Sequence, residues 1–269
     1  MLRSFLDCNP WYQGDVLILT DEVTPGMETC LKAIYPVKFK LIDEEIVNRA
    51  NEVSRTVTSC KIVAARFYSL GLYAISGYDK LLFLDSDLVV RGDLSELFLR
   101  PEPYLCAGDG FHYRDKLRTG PDYRHHKLRF WQRREDYWSG NFNSGVICID
   151  KSVATEANYR ALVEMIDPKY FMNGEKRLND DQLLMNIFFY GKTTLISSKY
   201  NYRLGMAKYI LAKDGVRLED AAIVHFTARR KPWMPAMVDE QKATGPDFVR
   251  AFGWWQSCWE SLPESLRAV

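Results

Sequence analysis

The chain has 269 residues, 47% hydrophobic and 13% aromatic, with 36 Lys and Arg against 35 Asp and Glu for a formal net charge of +1. That length and apolar fraction can bury a full core, as one large α/β domain with insertions or a domain with a small appendage. The balanced charge gives no electrostatic case for nucleic acid as a partner. Cys8, Cys30, Cys60, Cys106, Cys148 and Cys258 contain no Cys-x-x-Cys pair. They suit small core residues in a reducing compartment, not a disulfide frame or a zinc site. With no signal peptide and no apolar run long enough to cross a bilayer, a soluble, cytoplasmic protein is expected.

Met1 to Cys8 reads as a helix through Leu2, Phe5 and Leu6, ahead of a buried strand from Asp15 to Thr20. Lys38 to Ile42 is a weaker strand candidate. Lys61 to Ser76 reads as a helix whose apolar face holds Ile62, Ala65, Phe67, Leu70, Tyr73 and Ala74, ended by Gly77. Leu81 to Asp85 follows as a short strand, apolar on both faces apart from its last residue, as in the centre of a parallel sheet covered by helices. The strand–helix–strand order points to crossover helices on such a sheet.

This strand runs straight into Asp85-Ser86-Asp87. Ligands of open α/β sheets bind beyond the carboxyl ends of the strands. Two carboxylates around a serine suit a hard divalent cation that shares its other positions with a phosphate. An ordinary turn is the alternative, followed by a capping box of Asp93 and Glu96. Tyr104 to Gly108 is a further strand. Asp109 to Asn141 then has almost no periodicity, with eight Lys or Arg against five acids, many aromatics, and His112, His125 and His126. It reads as a solvated basic excursion or a functional lid. Its histidines lack the helical spacing of a metal site.

Asn141 to Asp150 reads as a polar turn feeding a buried strand, with Asn143, Ser144 and Gly145 at the strand's N-terminal edge. Ala154 to Ile166 is an amphipathic helix. Asn179-Asp180-Asp181-Gln182 opens another, Leu183 to Tyr190, closed by Gly191. The acids there can cap free N–H groups, a role that Gln182 does not share. Thr193 to Ser197 is a short strand leading to Lys199-Tyr200-Asn201-Tyr202. Ala221 to Phe226 is a strand that carries His225 into Arg229-Arg230-Lys231, a basic turn able to hold a diphosphate. A histidine so placed suits a core position as well as a ligand. In the aromatic helix Phe248 to Trp259, Phe248, Phe252, Trp255 and Trp259 fall at helical spacing, which favours packing on the core. Arg250 is its one Lys or Arg before Arg267, a poor basis for attraction to anionic lipid.

From Asp15 to Trp233 these motifs, in this order, resemble glycosyltransferase family 8, the group that includes glycogenin and bacterial lipopolysaccharide galactosyl- and glucosyltransferases. The matching stretches are the helix with Arg66 leading into Leu82-Phe83-Leu84-Asp85-Ser86-Asp87, then Phe142-Asn143-Ser144-Gly145-Val146. Asp181-Gln182 before Leu183-Leu184 is the third, and His225 with Lys231-Pro232-Trp233 the last. The resemblance implies a GT-A fold, a Rossmann-like, mostly parallel α/β sheet flanked by helices. Residues 1–235 would form the catalytic domain and 236–269 a helical extension. It implies a retaining hexosyltransferase that moves a hexose from a UDP-sugar to a hydroxyl of a glycan or lipid-linked acceptor, as in polysaccharide assembly. Asp85, Asp87 and His225 would bind Mn²⁺ or Mg²⁺, and Lys231 and Ser86 would meet the donor's phosphate side. Arg66, Asn143 and Ser144 would surround the donor sugar, and Asp181 and Gln182 would line its far face as catalytic groups. Same-face displacement, in which the diphosphate oxygen takes the acceptor's proton, is favoured over attack by Gln182, since a primary amide is a poor nucleophile and no glycosidase-type carboxylate pair is visible. The lid's aromatics would stack on sugar faces. Peripheral contact with the inner face of a membrane is compatible with such acceptors.

Two departures stand out. The family begins with a strand before the helix that here holds Arg3-Ser4-Phe5-Leu6, and Ala228 stands where a glycine is usual in the turn after the histidine. They motivate a second reading, a catalytically impaired relative that binds glycans or partners. A sugar nucleotidyltransferase would need a glycine-rich, basic triphosphate loop near the N-terminus, and the sequence has none.

Overall fold

The computed structural model describes residues 1–57, 63–114, 141–171, 180–227, 231–234 and 245–267. Most of the lid segment with His125 and His126, the turn Ala228-Arg229-Arg230, Asn179 and Cys60 lie outside them. In chain order the elements are α1 (Leu2–Cys8), β1 (Val16–Thr20), α2 (Pro25–Ile34), β2 (Val37–Leu41), α3 (Glu44–Thr56), a 3₁₀ helix (Ala64–Ala74), β3 (Lys80–Leu84), β4 (Leu88–Val90), α4 (Ser95–Leu99), β5 (Tyr104–Gly108) and α5 (Gly110–Arg114). There follow β6 (Phe142–Asp150), α6 (Glu156–Glu164), α7 (Asp180–Phe188), β7 (Thr194–Ile196), β8 (Tyr202–Arg203), α8 (Ala207–Asp214), β9 (Ile223–His225) and α9 (Pro246–Glu260).

Local chemistry accounts for several boundaries. Thr24 Oγ1 accepts the Met27 N–H and Pro25 opens α2; Thr155 Oγ1 accepts the Asn158 N–H to start α6. The segment after residue 63 is a 3₁₀ helix, not the α-helix its apolar face suggests, and it stops at extended Ile75, before Gly77 (φ +88°). Its apolar residues explain the form. Phe67, Leu70 and Tyr73 are spaced by three, so the three-residue turn eclipses them on one edge, where all are fully buried.

The strands form three groups: β1–β2, β3–β6–β5–β7 and β4–β9–β8. β1–β2, β5–β7 and β8–β9 are parallel, but β6 runs antiparallel to both β3 and β5, and β4 to β9. The expectation that Leu81–Asp85 lies among parallel neighbours is therefore corrected at β6. Asn143, Ser144 and Gly145, expected at the strand's N-terminal edge, are the second to fourth residues of β6. Asn186 of α7 explains this, since its amide accepts the Phe142 N–H and donates to the Phe142 carbonyl, both at 2.9 Å. That bidentate clamp satisfies the strand's first backbone pair where no neighbouring strand does.

The main core packs α3, the 3₁₀ helix, α6 and α7 on β3, β5 and β6. A second cluster joins Val89, Tyr202, Val224 and Phe226 to Phe248, Ala251 and Phe252 of α9. The first half of the aromatic C-terminal helix packs on the protein as its spacing predicts, through Phe248 and Phe252, but Trp259 is exposed and stacks on half-buried Trp255. The Arg91 guanidinium stacks 3.2 Å from the Trp254 ring centroid. Among the described residues no helix is long and apolar enough to cross a membrane. β1 and β3 share no ladder, and both line a cavity of about 1250 Å³.

Helix α1 holds the exit of β3 in place. Ser4 Oγ accepts the Val90 N–H at 3.1 Å, Asn9 Oδ1 accepts the Leu94 N–H at 2.8 Å, and Asn9 Nδ2 donates to the Phe5 carbonyl at 2.8 Å. Asn9 is buried, so Asn9→Ala strands a buried N–H and a carbonyl. Urea unfolding is expected to show a loss of about 1–3 kcal/mol with an unchanged slope. A loss within measurement error would show that the Asn9 clamp on Leu94 and Phe5 does not stabilise the fold.

Candidate functional site

Strand register brings the candidate ligands together. β3 ends at Leu84, the turn Asp85-Ser86-Asp87 follows, and the chain enters β4 at once. β4 is antiparallel to β9 with Leu88 opposite His225, and the Phe226 N–H donates to the Asp87 carbonyl at 3.0 Å. His225 therefore lies beside the Asp-Ser-Asp turn although 138 residues separate it from Asp87. On the other side Leu84 pairs with Val146, and the Asp85 N–H donates to the Gly145 carbonyl at 2.9 Å. Gly145 has to be small. A Cβ there would overlap His225 Cε1 and sit 2.7 Å from Asp85 Oδ2.

His225 Nε2 stands 3.0 Å from Asp87 Oδ1 and 3.7 Å from Asp85 Oδ2. One ligand atom from each of the three residues lies within 4.8 Å of the others, a spacing that fits a single cation. Two carboxylates and an imidazole make a mixed oxygen and nitrogen donor set suited to a divalent cation. Lys231 Nζ donates to Asp87 Oδ2 and, at 2.8 Å, to the Phe226 carbonyl. It is thus engaged with the Asp87 carboxylate, beside the place where the sequence reading puts a phosphate.

The two aspartates differ electrostatically. Asp85 faces the cavity yet has protein on most sides, and this burial pushes its carboxyl up to about 6 against the pull of His225. Burial would raise Asp87 as well, but the hydrogen bonds and charges of His225 and Lys231 outweigh it and hold that carboxyl at about 2.

Arg66, Asp85, Ser86, Asp87, Asn143, Ser144, Asp181, Gln182, His225 and Lys231 all line the same cavity. The structure brings every sequence-predicted site residue to one place. Gln182 is buried in the first turn of α7, where Asn186 Nδ2 binds its carbonyl at 2.8 Å. Gln182 Oε1 accepts from Asn143 Nδ2 at 2.8 Å and from the Ser144 N–H at 3.4 Å, and its Nε2 donates to Asp109 Oδ2 at 3.2 Å. Asp181 accepts the Ser69 hydroxyl at 2.8 Å. Its burial raises the carboxyl above the ordinary range, partly offset by hydrogen bonds from Ser69 and Ser144.

Sequence reasoning missed three participants. Asp109 was read only as the start of a loop, Asn201 only as part of the run that follows a short strand, and Arg203 was not singled out. Asn201 is fully buried and Arg203 nearly so. Arg203 lines the cavity and pairs in register with His225. An isolated polar pair after a three-residue strand was the one available signal, and it looks like a turn.

The family model described as Glycosyl transferase family 8 matches residues 23–236. Among curated proteins, glycosyltransferase GlyF of Streptococcus pneumoniae is 26% identical over 215 residues, covering 74% of this chain and 48% of GlyF. Glycogenin-1 of Mus musculus is 22% identical over 258 residues, 90% of this chain and 65% of that protein. The lipopolysaccharide 1,3-galactosyltransferase of Salmonella typhimurium is 26% identical over 169 residues, 58% of this chain and 44% of that protein. The chain spans about half to two thirds of these relatives' length. Among solved structures, galactosyltransferase LgtC in complex with donor and acceptor sugar analogs aligns with a TM-score of 0.66 at 17% identity, over 99% of this chain and 92% of LgtC. The bifunctional glycosyltransferase WbbM aligns at 0.58 and 20% identity, over 97% of this chain and 48% of WbbM. The fold is that of the GT-A glycosyltransferases.

Asp181 carries a testable cost. Its carboxyl titrates higher in the folded than in the unfolded chain, so its contribution to stability is full below the ordinary carboxylate range and is lost as pH rises through the folded value. Asp181→Asn should therefore melt above the parent at pH 8, and the gap should close toward pH 4. Melting curves across that range check it. A gap independent of pH would show that ionisation of Asp181 is not what costs stability.

Proposed function

Because the chain belongs to glycosyltransferase family 8, we propose that it is a retaining hexosyltransferase that takes a hexose from a UDP-sugar to a hydroxyl of a glycan or glycolipid acceptor. The carrying observation is the Asp85–Asp87–His225 cluster, which lines one cavity with Lys231, Asn143, Asp181 and Gln182. Asp85, Asp87 and His225 would hold Mn²⁺ (or Mg²⁺). Bound there, the cation supplies electrostatic stabilisation of the charge that gathers on the diphosphate as the bond to the sugar breaks.

The chain's own residues divide the remaining work. Lys231 sits beside Asp87, within a side-chain rotation of a diphosphate anchored there, and adds a second positive charge. Ser86 offers a hydroxyl on the same turn. Asn143, Ser144 and Arg66 are placed to orient the sugar from the cavity wall. The Asp181 carboxylate and the Gln182 amide face the side where positive charge grows on the sugar ring.

The amide of Gln182 is a weak candidate for nucleophile. Its carbonyl oxygen already accepts two hydrogen bonds, from Asn143 and the Ser144 backbone, and attack would break both. Displacement on the leaving-group face, with the departing diphosphate oxygen taking the acceptor's proton, needs no such rupture. This supports retention without a covalent intermediate on Gln182.

Calorimetric titration of UDP in the presence of Mn²⁺ tests the reading. Binding is expected that chelator abolishes and that Asp87→Ala weakens by roughly 100-fold or more, since it removes a ligand outright where even outer-shell losses cost 10–100-fold. UDP bound equally with and without chelator would contradict the metal assignment. No binding under either condition would favour a glycan- or partner-binding role instead.

A further inference from the structure

Polar groups beside the candidate metal site form one continuous chain, Asp109, Gln182, Asn143, Asn201 and His225, all buried except Asn143, which is half-buried. Asn201 Nδ2 donates to Asn143 Oδ1 at 2.9 Å, and Asn201 Oδ1 lies 2.9 Å from His225 Nδ1. Amide orientations and histidine tautomers are usually ambiguous, because oxygen and nitrogen scatter alike and hydrogens are not seen. Here one backbone group removes the ambiguity. The Gly145 N–H can only donate, and it donates to Asn143 Oδ1 at 3.1 Å. Asn143 therefore presents its carbonyl to Asn201 and its amino group to Gln182. Asn201 must in turn present its amino group to Asn143, which leaves its carbonyl oxygen facing the imidazole. A carbonyl oxygen can only accept, so His225 carries a proton on Nδ1. Its Nε2 is the nitrogen that faces Asp85 and Asp87.

We infer that Asn201 is a positioning residue: it holds His225 with its proton on Nδ1, so that the Nε2 lone pair is available to a cation bound by Asp85 and Asp87. The inference rests on the metal reading given above and adds a residue that neither the sequence motifs nor the cluster itself contains. A metal-ligating imidazole has one proton, on the nitrogen remote from the metal, and that proton needs an acceptor. Outer-shell acceptors of this kind fix ring orientation and raise ligand basicity. Asn201 is fully buried, with no solvent to replace it. The same side chain ties the imidazole to Asn143 and, through it, to Gln182, so ligand geometry and sugar-side geometry are set by one network.

The test is direct Mn²⁺ binding to the full chain without substrates, followed by electron paramagnetic resonance, for the parent, Asn201→Leu, Asn201→Ala and Asn201→Asp. Circular dichroism and melting establish which variants fold, and Ala carries the same expectation if Leu does not. Leu and Ala, which leave the Nδ1 proton without a partner, should weaken Mn²⁺ binding by roughly 10–100-fold. Asp, which keeps an acceptor there but loses the N–H donated to Asn143, should bind more tightly than Leu and Ala. A purely structural role predicts the opposite order, because Asp buries a new charge where Leu does not. In the zinc-loaded, ¹⁵N-labelled protein, the His225 Nδ1 proton should be protected from solvent exchange in the parent and Asp variant, and exposed in Ala. Parent-like Mn²⁺ affinity in Leu and Ala, or Asp as weak as Leu, overturns the inference alone. Absence of Mn²⁺ binding to the parent overturns the metal reading, and this inference with it.

Discussion

The site depends on the short antiparallel ladder between β4 and β9. It sets Leu88 opposite His225 and lets the Phe226 N–H bind the Asp87 carbonyl, so the imidazole and carboxylate meet by backbone register. A one-residue slip would send His225 to the other face of its strand. The surrounding apolar residues, Val89, Val90, Ile223 and Val224, are all buried, and they make such a slip costly. Helix α1 adds two backbone clamps to the same segment, through Ser4 and Asn9. The candidate cation site is thus mounted on the best-fixed part of the chain, as a site that must hold ligand atoms within tenths of an ångström requires.

Its other wall is built differently. Gln182, Asn143 and Asn201 are amides, neutral groups that can be buried if every donor and acceptor is used. They are linked head to tail between Asp109 at the Gln182 end and His225 at the Asn201 end, with the Ser144 N–H held by Gln182 and the Gly145 N–H by Asn143 along the way. Such a chain resists distortion because no member can rotate without leaving a neighbour unsatisfied. Asp181 is the exception, a half-buried carboxyl that accepts the Ser69 hydroxyl in surroundings that disfavour its charge. A group kept in such surroundings beside Gln182 is more readily understood through a ligand than through the fold.

Much of this was legible before any coordinates. The apolar strand ending in Asp85-Ser86-Asp87 and the strand carrying His225 toward Lys231 are local patterns, and their chemistry follows from residue type. Asn143 and Asp181 gained meaning only through the ordered resemblance, since each alone reads as a turn or helix cap, whereas Gln182 stood out as the residue of its run with no capping role. Strand direction at β6 was not legible, because side-chain alternation is the same for either direction. The start of β6 was hidden for another reason, the remote clamp from Asn186. The 3₁₀ form of residues 64–74 was disguised by Phe67, Leu70 and Tyr73, whose spacing of three also falls on one face of an α-helix. Asn201 was invisible because its partners lie 24 and 58 residues away, and nothing local marks an asparagine as the acceptor for a distant imidazole.

The most direct measurement is anomalous diffraction at the manganese edge from crystals grown with Mn²⁺ and UDP. One strong peak within bonding distance of Asp85, Asp87 and His225 Nε2, with the diphosphate completing its coordination, is the predicted result. A peak elsewhere, or ordered UDP in the cavity with no metal at these three residues, would contradict the assignment of this cluster as the donor-binding metal centre.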